Sequence, residues 1–458
     1  MKLKFIRLIL VGSSALWLAS ASVCFGASYY FDATRGNDKN AGTSPNDPWK
    51  TEAKFNATAF SPGDSIYFKR GETWNSDALY LHNSGKKDKV ITLTAYGTGT
   101  DPTLLRIVSG ARRGTADYWT IQNVIVANSK GWACVDIVGY AANLTIKDSV
   151  IHGCAGRGIS VESLIAGDSD NLHIQDVTVS NNGNQGIHVS DSTGTNKLQG
   201  VLIQRVTSYG NGINGPENLD GITVGSLAGG IVQYCKSYGN NGDGIDLGGT
   251  STDSFIRYNL VYNNTSAGIV ASNTANNTLL IGNVAHHNAT GMHIKKGTDN
   301  TKAYNNTLVF NSDYGAQIST ANSVTFKNNI LAHDVYGTWH PIIFTNASNQ
   351  KLVTDNNLFW HPIHPDSEFY DHNNRTHYSF ALWQARGYDT HSLNVDPNLD
   401  ADYVPNSNSP AIGAGVNLGA SYAAILNPAS SWTANVSILN QGDSGSWDIG
   451  AYRRRDRR

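Results

Sequence analysis

The 458-residue chain carries 46 glycines against 2 methionines, only 15% charged residues and a net charge of −2. That balance favours turns and strands over helices and leaves no basic field for nucleic acid. Of the four cysteines, Cys134, Cys154 and Cys235 lie beyond the N-terminal apolar stretch; they allow one disulfide with one thiol left over, and their spacing fits no zinc pattern.

Lys2, Lys4 and Arg7 precede an apolar run from Leu8 to Leu18 with small residues after it, the pattern of a secretory signal over residues 1–26. The run is too short for a spanning helix, which needs ~20 apolar residues, and no later segment qualifies. These features predict a secreted or periplasmic bacterial protein, mature from near Ala27, monomeric, with neither membrane nor nucleic acid as a partner.

Residues 27–116 contain short strand-like runs, such as Ser65 to Lys69 and Val90 to Ala95, expected to form an N-terminal cap and opening coils. From 117 to 335 the chain repeats one unit: an apolar strand, an asparagine turn, then a glycine and a second short strand. The asparagines Asn182, Asn211, Asn240, Asn264, Asn288 and Asn311 recur every 23 to 29 residues, and the position continues upstream as Cys154 and Ser129 and downstream as Asp334. A period of this size marks a solenoid. Stacked about 4.8 Å apart, identical asparagine amides can join donor to acceptor in a continuous ladder. Tyr209, Tyr238 and Tyr262, each two residues before a ladder position, are expected to stack as an aromatic column. After Asp334 the pattern loosens through a Trp-, His- and Pro-rich stretch, and residues 336–458 are read as C-terminal coils and cap. The fold class is therefore all-β, a parallel β-helix with caps at both ends, since an open coil would expose unpaired strand edges.

Each ladder residue is followed by Gly-apolar-x-apolar, as in Gly186-Ile187-His188-Val189 and Gly244-Ile245-Asp246-Leu247, and period-two alternation turns the x residues outward. Aligning these strands gives three outward rows. The first holds Arg157, Gln185, Asp220, Asp243, Ala267 and Thr290; the second Ser160, His188, Thr223, Asp246, Val270, His293 and Gln317; the third includes Glu162, Gly248, Ser272 and Lys295. Asp220, Asp243 and Asp246 thus converge on two adjacent coils. Like charges this close either raise one another's pKa or hold a hard cation such as calcium.

The opening Tyr29-Tyr30-Phe31-Asp32-Ala33, Pro48-Trp49-Lys50-Thr51 and Pro62-Gly63-Asp64-Ser65-Ile66, with the closing Asp448-Ile449-Gly450-Ala451-Tyr452, resemble motifs of right-handed parallel β-helix proteins of bacterial carbohydrate metabolism. Among these, the resemblance points to polysaccharide lyases. Leu219-Asp220-Gly221-Ile222 and Gly242-Asp243-Gly244-Ile245-Asp246 are similar to the calcium-site pattern of family 9 pectate lyases. The resemblance implies Asp220, Asp243 and Asp246 as calcium ligands, with Gly242 in place of a fourth and Val270 where that family carries its lysine base. Lys295, His188 and His293 are the remaining base candidates, and Arg157 a clamp for substrate carboxylate. The expected function is calcium-assisted β-elimination on an extended, uronate-containing polysaccharide. Polygalacturonase-type hydrolases offer a competing template, echoed in Asn218-Leu219-Asp220-Gly221 and His293-Ile294-Lys295 but lacking the histidine at Ala267-Gly268. Uronate C5-epimerisation and non-catalytic glycan binding also remain open.

Overall fold

A computed structural model describes residues 26–454 apart from 111–115, 140–141, 164–169, 192–196, 216–218, 333–342, 347–350, 363–368, 373, 433–434 and 443–444. Residues 1–25, which hold the signal segment, ladder position Asp334, Pro216 and Glu217, and residues 455–458 lie outside the described residues.

The chain winds into a right-handed parallel β-helix. One face is a 13-stranded sheet, and the other faces make up a 24-stranded assembly whose members pair with strands one coil away. The register matches the sequence alignment residue for residue: Ser160 pairs with His188, His188 with Thr223, Thr223 with Asp246, Asp246 with Val270 and Val270 with His293. Inward members such as Ile159, Ile187, Ile222, Ile245, Ile269 and Met292 are fully buried and stack into one continuous core. Burial of this apolar column is the main favourable term in holding the coils together.

The asparagine ladder is continuous. Asn182, Asn211, Asn240, Asn264 and Asn288 each donate from Nδ2 to Oδ1 of the next, at 2.9 to 3.2 Å. Each Oδ1 also accepts a backbone N–H from the coil before it, so a buried turn is left with its polar groups paired. A second ladder, Asn259, Asn283, Asn306, Asn329 and Asn357, runs beside the first. Outside the coil, Tyr209, Tyr238, Tyr262 and His286 stack at 4.8 to 5.0 Å. Cys134 and Cys154 form a disulfide between neighbouring coils, and Cys235 is a buried free thiol whose pKa burial pushes up to about 12.

At the N-terminal end, the strand Ser28–Phe31 and the helix Glu52–Ala57 close the core with Phe31, Trp49, Phe55 and Phe60. Two polar residues there are turn staples: Asp64 accepts N–H groups from Ala27 and Ser61, and Asp38 accepts from Lys50 and Thr51. The C-terminal segment runs back along the flank of the coils. Ala411 and Ile449 pack on Val309, Ile330 and Leu358, while Asn305 donates to the carbonyls of Asp448 and Gly450. No helix among the described residues is long and apolar enough to cross a membrane.

Candidate active site

The candidate residues lie on the 13-stranded sheet, as do Arg157, His188, Asp246, His293 and Lys295, or in the turns just before its strands, as do Asp220 and Asp243. Its glycines exist for steric reasons. A Cβ on Gly221 would lie 2.2 Å from Ser237 Oγ and 2.5 Å from Asn240 Nδ2, and one on Gly244 would meet Val261 Cγ1 at 2.1 Å. The ladder thus requires glycine at the strand mouth, and the residue before it, Asp220 or Asp243, is held there almost fully buried.

Asp220, Asp243 and Asp246 each offer a carboxylate oxygen, and these oxygens lie within 4.8 Å of one another. Their orientation is fixed by hydrogen bonds. Asp243 N–H donates to Asp220 Oδ1 at 2.8 Å, Thr223 Oγ1 to Asp220 Oδ2 at 2.8 Å, Ala267 N–H to Asp243 Oδ1 at 2.7 Å, and Ser272 Oγ to Asp246 Oδ1 at 3.1 Å. Asp220 and Asp243 are buried, and none of the three has an ion-pair partner among the described residues. Burial, reinforced by Asp243 and Asp246, pushes the Asp220 pKa up to about 7; burial and then Asp243 raise Asp246 to about 6 against the opposing charge of Lys295. Converging oxygens without a counter-charge suit a hard cation, which would stabilise all three in ionised form. Gly242 contributes no side chain to the set.

The other candidates flank this cluster on both sides. Toward the N-terminus, Arg157 ion-pairs with Glu162, donates to Gln185 at 3.0 Å and covers the Trp132 ring at 4.8 Å. His188 lies one coil before Thr223, shares a hydrogen bond with Ser190 at 2.9 Å, and has its pKa lowered to about 4 by burial and then by Arg157. Arg157 and His188 therefore belong to one network with Glu162, two coils and one coil before the coil of Asp220. Toward the C-terminus, His293 and Lys295 line a cleft of about 610 Å³ that also takes in Asn241 and Ala267, near Asp243. His293 is anchored to Ser319 at 2.8 Å, and burial, then Lys295 and Lys296, lower its pKa to about 3. Val270, between Asp246 and His293, is fully buried.

Asp313 and Tyr314 also line the cleft and escaped the sequence alignment. The signal was present: Tyr314 pairs with Thr290, so it continues the row of Asp220 and Asp243 by one further coil.

A parallel β-solenoid with a carboxylate cluster on the outer face of one sheet defines a protein of the pectate lyase-like right-handed β-helix class. Residues 29–276, more than half of the chain, match the family described as "Pel9A-like, right handed beta helix region", and the chain belongs to that family. A 75-residue stretch is 41% identical to a lacto-N-biosidase of Bifidobacterium longum subsp. longum; it amounts to 16% of this chain and spans only 5% of that relative's length. Among solved structures, the GH136 lacto-N-biosidase from Eubacterium ramulus is similar in fold, with a TM-score of 0.51 at 14% identity over 71% of this chain and 68% of that one. Pectate lyase Pel9A aligns over 95% of this chain and 98% of its own, with a TM-score of 0.47 at 16% identity.

Proposed function

We propose that the protein is a secreted polysaccharide-active enzyme, a calcium-assisted lyase that cleaves a uronate-containing chain by β-elimination. The observation that carries this reading is the cluster of Asp220, Asp243 and Asp246: three oriented carboxylates from two coils, with no cationic side chain paired to them. In this reading residues 1–26 are the signal peptide, 27–116 the N-terminal cap and first coils, 117–335 the repeats bearing the site, and 336–458 the C-terminal coils and cap.

Elimination requires a base for the proton at C5 of the uronate, stabilisation of the carboxylate as charge develops on it, and a donor to the leaving oxygen. Asp220, Asp243 and Asp246 would hold the calcium. Bound there, it supplies the positive charge that stabilises the developing carboxylate dianion. Lys295, which lines the cleft, takes the C5 proton. As the C4–O bond breaks and the C4=C5 double bond forms, His293, neutral and fixed by Ser319, hydrogen-bonds the departing glycosidic oxygen, which takes its proton from water. On the other side of the cluster, Arg157 is held by Gln185 and its charge is offset by Glu162, so it borders the groove as a polar contact and not as a free clamp for a uronate, and His188 offers a neutral imidazole beside it.

Hydrolysis is the second reading, favoured by the Asp220 pKa of about 7, which makes Asp220 a proton donor beside Asp243 at neutral pH. Retaining glycosidases place their two carboxyl groups about 5 to 5.5 Å apart, one as acid and one as nucleophile. The stretch shared with a lacto-N-biosidase supports the same reading.

Incubation with uronate polysaccharides separates the two. Ultraviolet absorbance from unsaturated uronate ends, lost on chelation, is the expected result; reducing ends without absorbance support the hydrolase. Asp243→Ala is expected to abolish turnover, and undiminished activity in that variant would remove the cluster from the mechanism.

A further inference from the structure

A second cavity, of about 470 Å³, lies on the 24-stranded assembly, a different face of the coils from the one that carries the acidic cluster. Its floor is one outward row: Phe255, Leu279 and Lys302 stand in register on consecutive coils, about 4.8 Å apart. Toward the N-terminus the row continues as the half-buried Ile231 and Leu202. Beside it runs a row of exposed polar side chains, in which Asn277 Nδ2 donates to Asp253 Oδ1 at 3.0 Å and Asn300 Nδ2 to Asn277 Oδ1 at 2.8 Å. Tyr422, on the short helix Ala420–Tyr422, closes the far side, and its hydroxyl accepts from Lys302 Nζ at 3.0 Å.

The charges around this trough are one-sided. Lys302, Arg257 and Lys197 have no ion-pair partner among the described residues. Arg257 donates to Gln233 at 2.8 Å and lies over the Phe255 ring at 5.6 Å, while Lys197 reaches Thr252, the residue before Asp253, at 3.1 Å. The lining offers one carboxylate against them, Asp253, and its Oδ1 already accepts from Asn277. An apolar floor, a hydrogen-bonding edge at coil spacing and an excess of unpaired cations together suit a chain of sugar rings that carries negative charge. Ring faces pack on Phe255 and Leu279, hydroxyls meet the second N–H of Asn277 and Asn300, and carboxylates meet Lys302 and Arg257. Because a pyranose unit advances a glycan by about one coil spacing, successive sugars meet successive coils.

We propose that this trough is a second, non-catalytic binding site for an anionic polysaccharide, which holds the polymer on one face of the coils while the groove of the 13-stranded sheet acts on another stretch. The proposal rests on the polysaccharide-active reading of the protein.

The test follows the retardation of the full chain, in chelator, by gels that contain polygalacturonate or an uncharged galactan. Turnover of a galacturonate tetrasaccharide, with calcium, is measured in parallel. Wild type is expected to be retarded by polygalacturonate and little by galactan. Lys302→Gln keeps a donor for the Tyr422 hydroxyl and removes the charge; it is expected to weaken retention by about five-fold in low salt and to have no effect in high salt. Phe255→Ala is expected to weaken retention in both. Both variants are expected to turn over the tetrasaccharide as wild type does. Wild type retarded by neither gel or equally by both, retention unmoved by Lys302→Gln or by Phe255→Ala, or tetrasaccharide turnover that falls in step with retention would overturn the site. A wild-type protein that leaves the tetrasaccharide uncut, with retention that still responds to both variants, would overturn the lyase chemistry and leave the site standing.

Discussion

The backbone N–H of Asp243 donates to the Asp220 carboxylate across one coil, at 2.8 Å, locking side by side two acidic groups that would otherwise turn apart. With Asp246 they form a pre-organised anionic pocket, and pre-organisation is what allows oxygen ligands to bind a cation without paying to order themselves. Calcium is therefore expected to raise the thermal midpoint, with a stabilisation of about 2.7 kcal/mol at a hundred-fold excess over Kd. Differential scanning fluorimetry with calcium and with chelator checks this. An unchanged midpoint at millimolar calcium, or an equal shift in Asp243→Asn, would remove the cation from this site.

Without a cation the same cluster works against folding. The Asp220 pKa is raised from 3.8 to about 7, so the folded state binds its proton more tightly than the unfolded state does. Stability from this group is complete below pH 3.8 and is lost as pH rises through about 7. Asp220→Asn keeps an oxygen for the Asp243 N–H and an amide for the Thr223 hydroxyl, and it removes the titration. In chelator, Asp220→Asn is expected to be more stable than wild type at pH 8 and equal to it near pH 4; in calcium the order at pH 8 reverses. Parallel stability curves for the two proteins would contradict the assignment.

The ladder makes a sharper demand. Asn264 accepts from Asn240 N–H at 3.1 Å and Asn240 Nδ2 at 2.9 Å, and donates to Asn288 Oδ1 at 2.9 Å and the Ser237 carbonyl at 3.2 Å. Asn264→Ala strands several buried groups at once, each costing about 1–3 kcal/mol, so a loss of about 3–5 kcal/mol is expected. Asn182→Ala, at the ladder's first rung, breaks the bonds to Asn211 and to the Cys154 N–H and is expected to cost less. Denaturant midpoints compare the two; a mid-ladder variant within about 1 kcal/mol of wild type would show that the amides are not mutually dependent.

The repeat and its register were readable because each coil repeats the same steric problem: glycine under an asparagine amide, apolar members inward, polar members outward. That periodicity sufficed to gather Asp220, Asp243 and Asp246, residues 26 positions apart at most, onto one patch. The second ladder was present in the text as Asn259, Asn283 and Asn306, each five residues before a ladder asparagine, but lay hidden among the many other asparagines. Other features depend on contacts with no period. The carbonyl of Ala424 receives the Tyr258 hydroxyl across 166 residues, and the Arg157 guanidinium turns to Glu162 and Trp132 instead of standing free in the groove. Side-chain direction within a row and the packing of a non-repeating segment are tertiary outcomes, which alternation alone does not specify.

His286 tests the aromatic column through pH. It stacks on Tyr262 at 4.8 Å, with Tyr403 at 4.4 Å, and burial, then the neighbouring His287, lower its pKa from 6.5 to about 3. A histidine kept neutral in this way contributes stability above pH 6.5 that is lost as pH falls toward 3, because the unfolded chain takes up the proton first. His286→Tyr extends the column begun by Tyr209, Tyr238 and Tyr262 and removes that titration. The variant is expected to match wild type within about 1.5 kcal/mol at pH 8, the tolerance for a volume-similar swap, and to gain on it steadily from pH 6 to pH 4. Thermal midpoints across that range decide the matter: if the two curves fall in parallel, the stacked imidazole is protonated in the folded protein and the column does not exclude charge.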